Sequence, residues 1–207
     1  EAALESALAH WLYHDEIWLR GNAKAKAEIL LAIARVRHAL VLFGGIVPRK
    51  ATTHLRALLN DADAVLLAAD TADEALFRTE VVGAKLALTE WLVQRGWRPF
   101  LNEAGEKKIA GSFKRFADIH LSRVAAELRS AVQHLAVEDA ADQLPKLSRD
   151  IDSVQLLAGA YGDAVAPWLE NWQELQRAIE HDDRSVFEYF RRQALAAEPF
   201  WLHSGKR

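Results

Sequence analysis

Neither cysteine nor methionine occurs in this chain of 207 residues. Without cysteine there is no disulfide, no thiolate metal ligand and no sulfur nucleophile. A chain that opens at Glu1 and holds no methionine reads as part of a longer protein. Charge of one sign is also missing, because 26 basic residues meet 29 acidic ones for a net charge of -3. A polyanion would therefore have to be held by a local patch, since the whole molecule does not attract it. Every apolar run is far shorter than the roughly 18 residues that cross a bilayer. No basic segment leads into an apolar one at the start, so secretion has no support and a cytoplasmic location without membrane contact is expected. Glycine-rich phosphate loops, nucleophile elbows and zinc signatures do not occur. Glu-x-x-His does not recur on two segments as a di-iron bundle needs, and no stretch alternates as a β-strand does. With no constellation that does chemistry, this chain is not expected to be an enzyme, to bind a cofactor or to hold a metal.

What the sequence does contain is helical periodicity, and the fold class it predicts is all-α. Helices are expected over 2–19, 24–43, 52–69, 73–94, 112–135, from 138 through Leu157, over 163–180 and over 183–197. Residues 95–111 carry three glycines, a proline and several polar residues. They form the one convincing mid-chain linker and place a join between two helical halves, 1–100 and 101–207.

The most informative stretch is Lys24–Leu59. Ile29, Ile33, Val36, Leu40 and Phe43 make one buried stripe, and Arg35, Arg37 and His38 lie off it. Gly44-Gly45 stops the helix, Pro48 fixes the turn, and Thr52 or Thr53 is placed to cap the next helix. Arg49 and Lys50 stand just before that helix start, where acidic residues would suit the macrodipole better. With His54 one turn on, they form either a phosphate cradle or two solvated side chains. Further cations off the core stripe are Lys114, Arg115 and Arg123, with His120 one turn from Arg123, and then Lys146 and Arg149.

Other polar residues read more plainly. Arg78 and Lys85 are expected in exposed ion pairs, and Arg191 and Arg192 solvated near a helix end. His10 and His14 are one turn apart and could share a metal, but no third ligand is apparent, so a surface or core pair beside Asp15 or Glu16 is expected. In the tail, Phe200 and Trp201 are expected to pack, with Lys206 and Arg207 loose.

The run LFGGIVPRKATTHLRALL (42–59), with KLALTEWL (85–92), SFKRFADIHLSR (112–123), QLPKLSRDIDS (143–153) and the ending EPFWLHSGKR, resembles the CHAD half of bacterial CYTH-CHAD inorganic triphosphatases. The resemblance implies two pseudo-symmetric helical bundles, 1–100 and 101–207, forming one CHAD domain that binds polyphosphate. In that family each half carries a helix with histidine, arginine three residues on, and further cations one and two turns later. Here Ala27, Leu30 and Ala34 stand at three of those positions, and Arg35 and Arg37 match. In the second half Lys146 and Arg149 take the first two positions, and Ser153 and Leu156 the later ones. The resemblance further implies a separate CYTH domain, β-rich, holding divalent metal and cleaving triphosphate. Its Glu-x-Glu-x-Lys motif is absent from this chain.

The leading expectation is an accessory domain that binds inorganic polyphosphate or another phosphate polyanion. Its groove between the halves would be built from Arg35, Arg37, His38, Arg49, Lys50, His54, Lys114, Arg115, His120, Arg123, Lys146 and Arg149. The alternative is a structural or interaction module that supports or gates the CYTH domain of the same chain. Nucleic acid ranks third, because charge is balanced and no reading helix is evident.

Overall fold

The computed structural model describes residues 2–98, 105–158 and 161–202. Among them there are nine α-helices and no strand. The chain divides into two compact units, Glu1–Glu103 and Ala104–Arg207.

In the first unit, α1 (Ala2–Leu19), α2 (Ala25–Leu42), α3 (Thr53–Ala68) and α5 (Thr79–Val93) pack in a ring: α1 on α2, α2 on α3, α3 on α5, and α5 back on α1. The apolar stripes meet inside, where Trp11, Ile29, Ile33, Leu59, Leu66 and Leu88 are fully buried. Each such side chain contributes roughly 1.5–3 kcal/mol of transfer free energy. Gly21, at φ +94°, ends α1 in the left-handed turn that a side chain would strain. The helix expected over 73–94 is in fact two. Thr71 and Glu74 form a capping box on the short α4 (Ala72–Ala75), and Arg78 is extended before α5 begins. Phe77 falls in this break and is 68% exposed.

In the second unit, α6 (Gly105–Val132), α7 (Ala140–Leu157), α8 (Ala166–Glu180) and α9 (Arg184–Ala196) repeat the ring, each packing on the next and α9 on α6. The linker expected to reach Gly111 is shorter, since α6 starts at Gly105 and runs through Ser112, which lies inside the helix and not at its start. Pro145 lies inside α7, where the amide it lacks costs a single early bond towards Ala141. Asp183 caps α9 by accepting from the Ser185 amide at 3.2 Å. Trp201 is buried, meets Trp168 edge to face and donates its Nε1 hydrogen to Ser122 Oγ at 3.0 Å, which ties the segment after α9 to α6. Lys206 and Arg207 lie outside the described residues.

Cations close several helix ends. Carbonyls of a last turn have no partner in their own helix and carry the negative end of the dipole, so a basic side chain from another helix satisfies both. Lys26 on α2 donates to Leu67 O (3.2 Å) and Ala69 O (2.6 Å) at the end of α3. Arg191 on α9 donates to Val132 O (3.2 Å) and Gln133 O (2.7 Å) at the end of α6, and pairs with Glu188. The expectation that Arg191 is solvated is thus corrected: it is a clamp between α9 and α6. No helix among the described residues is long and apolar enough to cross a membrane.

Candidate functional site

The turn before α3 gathers Arg49, Lys50, His54 and Arg56, for which no ion pair occurs among the described residues. After Pro48 the chain enters a 3-10 turn, Arg49–Thr52, that runs straight into α3 and so moves the positive helix start back to Arg49. Thr52 does not cap α3 as expected. Its hydroxyl donates to Arg49 O at 3.2 Å and accepts from Arg56 Nε at 2.8 Å, and Thr53 Oγ1 also donates to Arg49 O, at 3.1 Å. Arg56 also donates to Leu40 O at the end of α2, so its half-buried guanidinium is held in place. Burial lowers the Arg56 pKa from its ordinary value, and the nearby Arg49 charge lowers it further. Arg49, Lys50 and His54 are exposed and make no ion pair among the described residues.

The α2 cations differ in their surroundings. Arg37 is 2.9 Å from Asp63 on α3, so its charge is already matched inside the unit. Arg35 and His38 are half-buried. Arg56 was missed by sequence reasoning. Its signal was there in the spacing, four residues after Thr52 and one helical face on from Arg49, but its use as a tie to Leu40 depends on packing.

In the second unit the predicted cations come together among acids. Arg123 lies 3.7 Å from Glu127, and Arg149 lies 3.7 Å from Asp150. Lys146, Arg149 and Glu127 all lie close enough to Asp150 to perturb it. Asp150 is buried, and that burial raises its pKa above the ordinary carboxylate value despite the two cations. His120 lies against the Phe116 ring at 4.1 Å, and burial and Arg123 lower its pKa, so it holds its neutral form to lower pH than an exposed histidine. Lys114 is half-buried and Arg115 exposed. A cleft of about 260 Å³ in this unit is lined by Glu138, Asp182, Asp183 and Arg184 among apolar residues, and none of the predicted cations lines it.

Two all-helical units of four ringed helices, each with a cationic group on its second helix or the turn after it, are the context for the sequence comparison. A family model of the CHAD domain matches residues 2–192. This chain belongs to the CHAD family. Within this CHAD domain, the positions where the family pattern has cations are occupied differently. Ala27 and Ala34 are exposed on α2 and Leu30 is half-buried beside them. On α7 Ser153 is buried and donates its hydroxyl to Arg149 O at 3.0 Å, while Leu156 is half-buried. The column of charge that the resemblance implies along each helix is therefore short in this CHAD domain, and Arg49 and Lys50 stand on the turn after α2.

Proposed function

We propose that this CHAD domain binds inorganic polyphosphate, or another linear phosphate polyanion, as a non-catalytic accessory to a CYTH triphosphatase domain in the same chain. The observation that carries the reading is the Arg49–Lys50–His54–Arg56 group, where three permanent cations and a histidine meet a helix start with no carboxylate paired to Arg49, Lys50 or Arg56 among the described residues. Like charges held together at a dipole's positive end are destabilising unless an anion shares them. Arg49 supplies a two-pronged fork for phosphate oxygens and Lys50 a point charge. Within the second unit, taken by itself, Arg123, Lys146 and Arg149 would offer a separate and weaker phosphate contact, since Glu127 and Asp150 lie beside them. The divalent metal that a CYTH domain uses belongs to that domain.

A second reading, a structural module that supports or gates the CYTH domain, is favoured by one feature. Alanine fills exposed α2 positions where the family has cations, and Val41 on the same helix is 64% exposed. Titration calorimetry with long-chain polyphosphate at low salt separates the two. Binding that falls at least tenfold in Arg49→Ala/Lys50→Ala supports the first reading. No heat from the unmutated chain leaves the second.

A further inference from the structure

His10 and His14 are four residues apart on α1 and present their rings to the same side, with centroids 4.3 Å apart. The third group that the sequence did not reveal comes from the neighbouring helix. Glu28, in the first turn of α2, places Oε2 3.0 Å from His10 Nε2. One donor atom from each of His10, His14 and Glu28 lies within 4.8 Å of the other two. All three residues are half-buried, so the group is neither fully solvated nor closed off. Among the described residues His14 Nδ1 is buried with no hydrogen-bond partner, a polar atom whose loss of water is uncompensated.

We propose that His10, His14 and Glu28 form a site for a divalent transition-metal ion, zinc being the best fit. Two imidazoles and one carboxylate suit zinc, nickel, copper or cobalt, whereas magnesium and calcium prefer oxygen donors alone. A zinc ion about 2.0–2.1 Å from each donor in tetrahedral geometry needs donor separations of about 3.3 Å. The His10–Glu28 pair is already close to that spacing, and the His14 donor, within 4.8 Å of both, would have to draw closer on binding. A hydrogen bond between His10 and Glu28 holds one proton between the two atoms, and the ion takes that proton's place. The two acids that follow His14 in sequence are engaged elsewhere: Asp15 Oδ2 lies 2.7 Å from Lys85, and Glu16 faces Arg20 at 3.4 Å. Three protein donors leave the fourth position open to water or to an oxygen of a small anion. The ion would also tie α1 to α2, so binding raises the stability of the first unit by mass action.

The test titrates the metal-free chain with zinc in competition with a chromophoric chelator, and with cobalt followed by its visible d–d bands. The expected result is one ion per chain, a rise in melting temperature with excess zinc, and d–d bands of a four- or five-coordinate ion. Glu28→Gln keeps the size of its side chain and His10→Asn a polar group, and each should weaken zinc at least tenfold, while His134→Ala, at an exposed histidine of the second unit, changes nothing. Circular dichroism of each metal-free variant confirms that it folds. Zinc binding of equal affinity and stoichiometry in the His10→Asn/His14→Asn variant, or no zinc binding by the unmutated chain, overturns the proposal.

Discussion

Lys85 Nζ sits 2.7 Å from Asp15 Oδ2, joining α5 to α1 across 70 residues of chain, with only 19% and 10% of the two side chains exposed. Asp15 Oδ1 has no hydrogen-bond partner among the described residues, and burial pushes the Asp15 carboxyl above its ordinary range even though Lys85 pulls the other way. Lys85 is therefore the compensation for a buried carboxylate, and the exposed ion pair expected for it from sequence is corrected. Arg78, by contrast, does lie at the surface, 3.5 Å from Glu80.

Removing one partner of such a pair strands the other charge. Lys85→Met should destabilise the first unit by about 3–5 kcal/mol. Asp15→Asn with Lys85→Met should recover most of that loss. Urea denaturation of the two single variants and the double variant measures the coupling, and strictly additive effects would contradict it.

Asp150 gives the pH dependence. Its folded pKa is raised by burial, so the folded state holds a proton that the unfolded state releases. The stability tied to Asp150 is complete below the unfolded value, near pH 4, and is lost as pH rises through the folded value. Asp150→Asn should be more stable than the parent at pH 7 by on the order of 1 kcal/mol, since a neutral group replaces a buried charge. Denaturation midpoints of the two proteins should converge as pH falls towards 4.

Arg191 and Arg192 are adjacent, and sequence alone treats them alike. Arg191→Met releases the carbonyls of Val132 and Gln133 and should cost about 2 kcal/mol. Arg192→Met, at an exposed position, should stay within about 0.5 kcal/mol. Thermal melts of the two variants decide between a clamp and a solvated pair.

The anion site has its own signature. If polyphosphate neutralises Arg49 and Lys50, the logarithm of its affinity should fall with the logarithm of salt concentration, by roughly one unit of slope per phosphate contacted, by analogy with nucleic acids. Arg49→Ala/Lys50→Ala should flatten that slope by about two. Arg37→Ala should leave it unchanged, since Arg37 is engaged with Asp63 at 2.9 Å. Equal slopes in all three proteins would place the contacts elsewhere.

Most of the architecture was legible because apolar spacing carries it. Ile29, Ile33, Val36 and Leu40 were expected inside and are buried. What failed was local. The capping box at Thr71 and Glu74 cut a helix whose periodicity looked continuous, because a hydrogen-bonded end outweighs a matching stripe. The candidate site was legible only as residues. Periodicity assigns a helical face, and which carboxylate meets that face depends on the neighbouring helix. So Arg37 met Asp63, Lys85 met Asp15, and His10 met Glu28, none of them near in sequence.

The grip of Lys26 on the end of α3 has a chemical corollary. An amine occupied by two carbonyl oxygens is a poor nucleophile towards acylating reagents, whereas the one on Lys50 is in water. Brief surface labelling followed by peptide mass mapping should therefore mark Lys50 early and Lys26 late, and the lag at Lys26 would vanish once that first bundle loosens, which makes one lysine a reporter of its integrity.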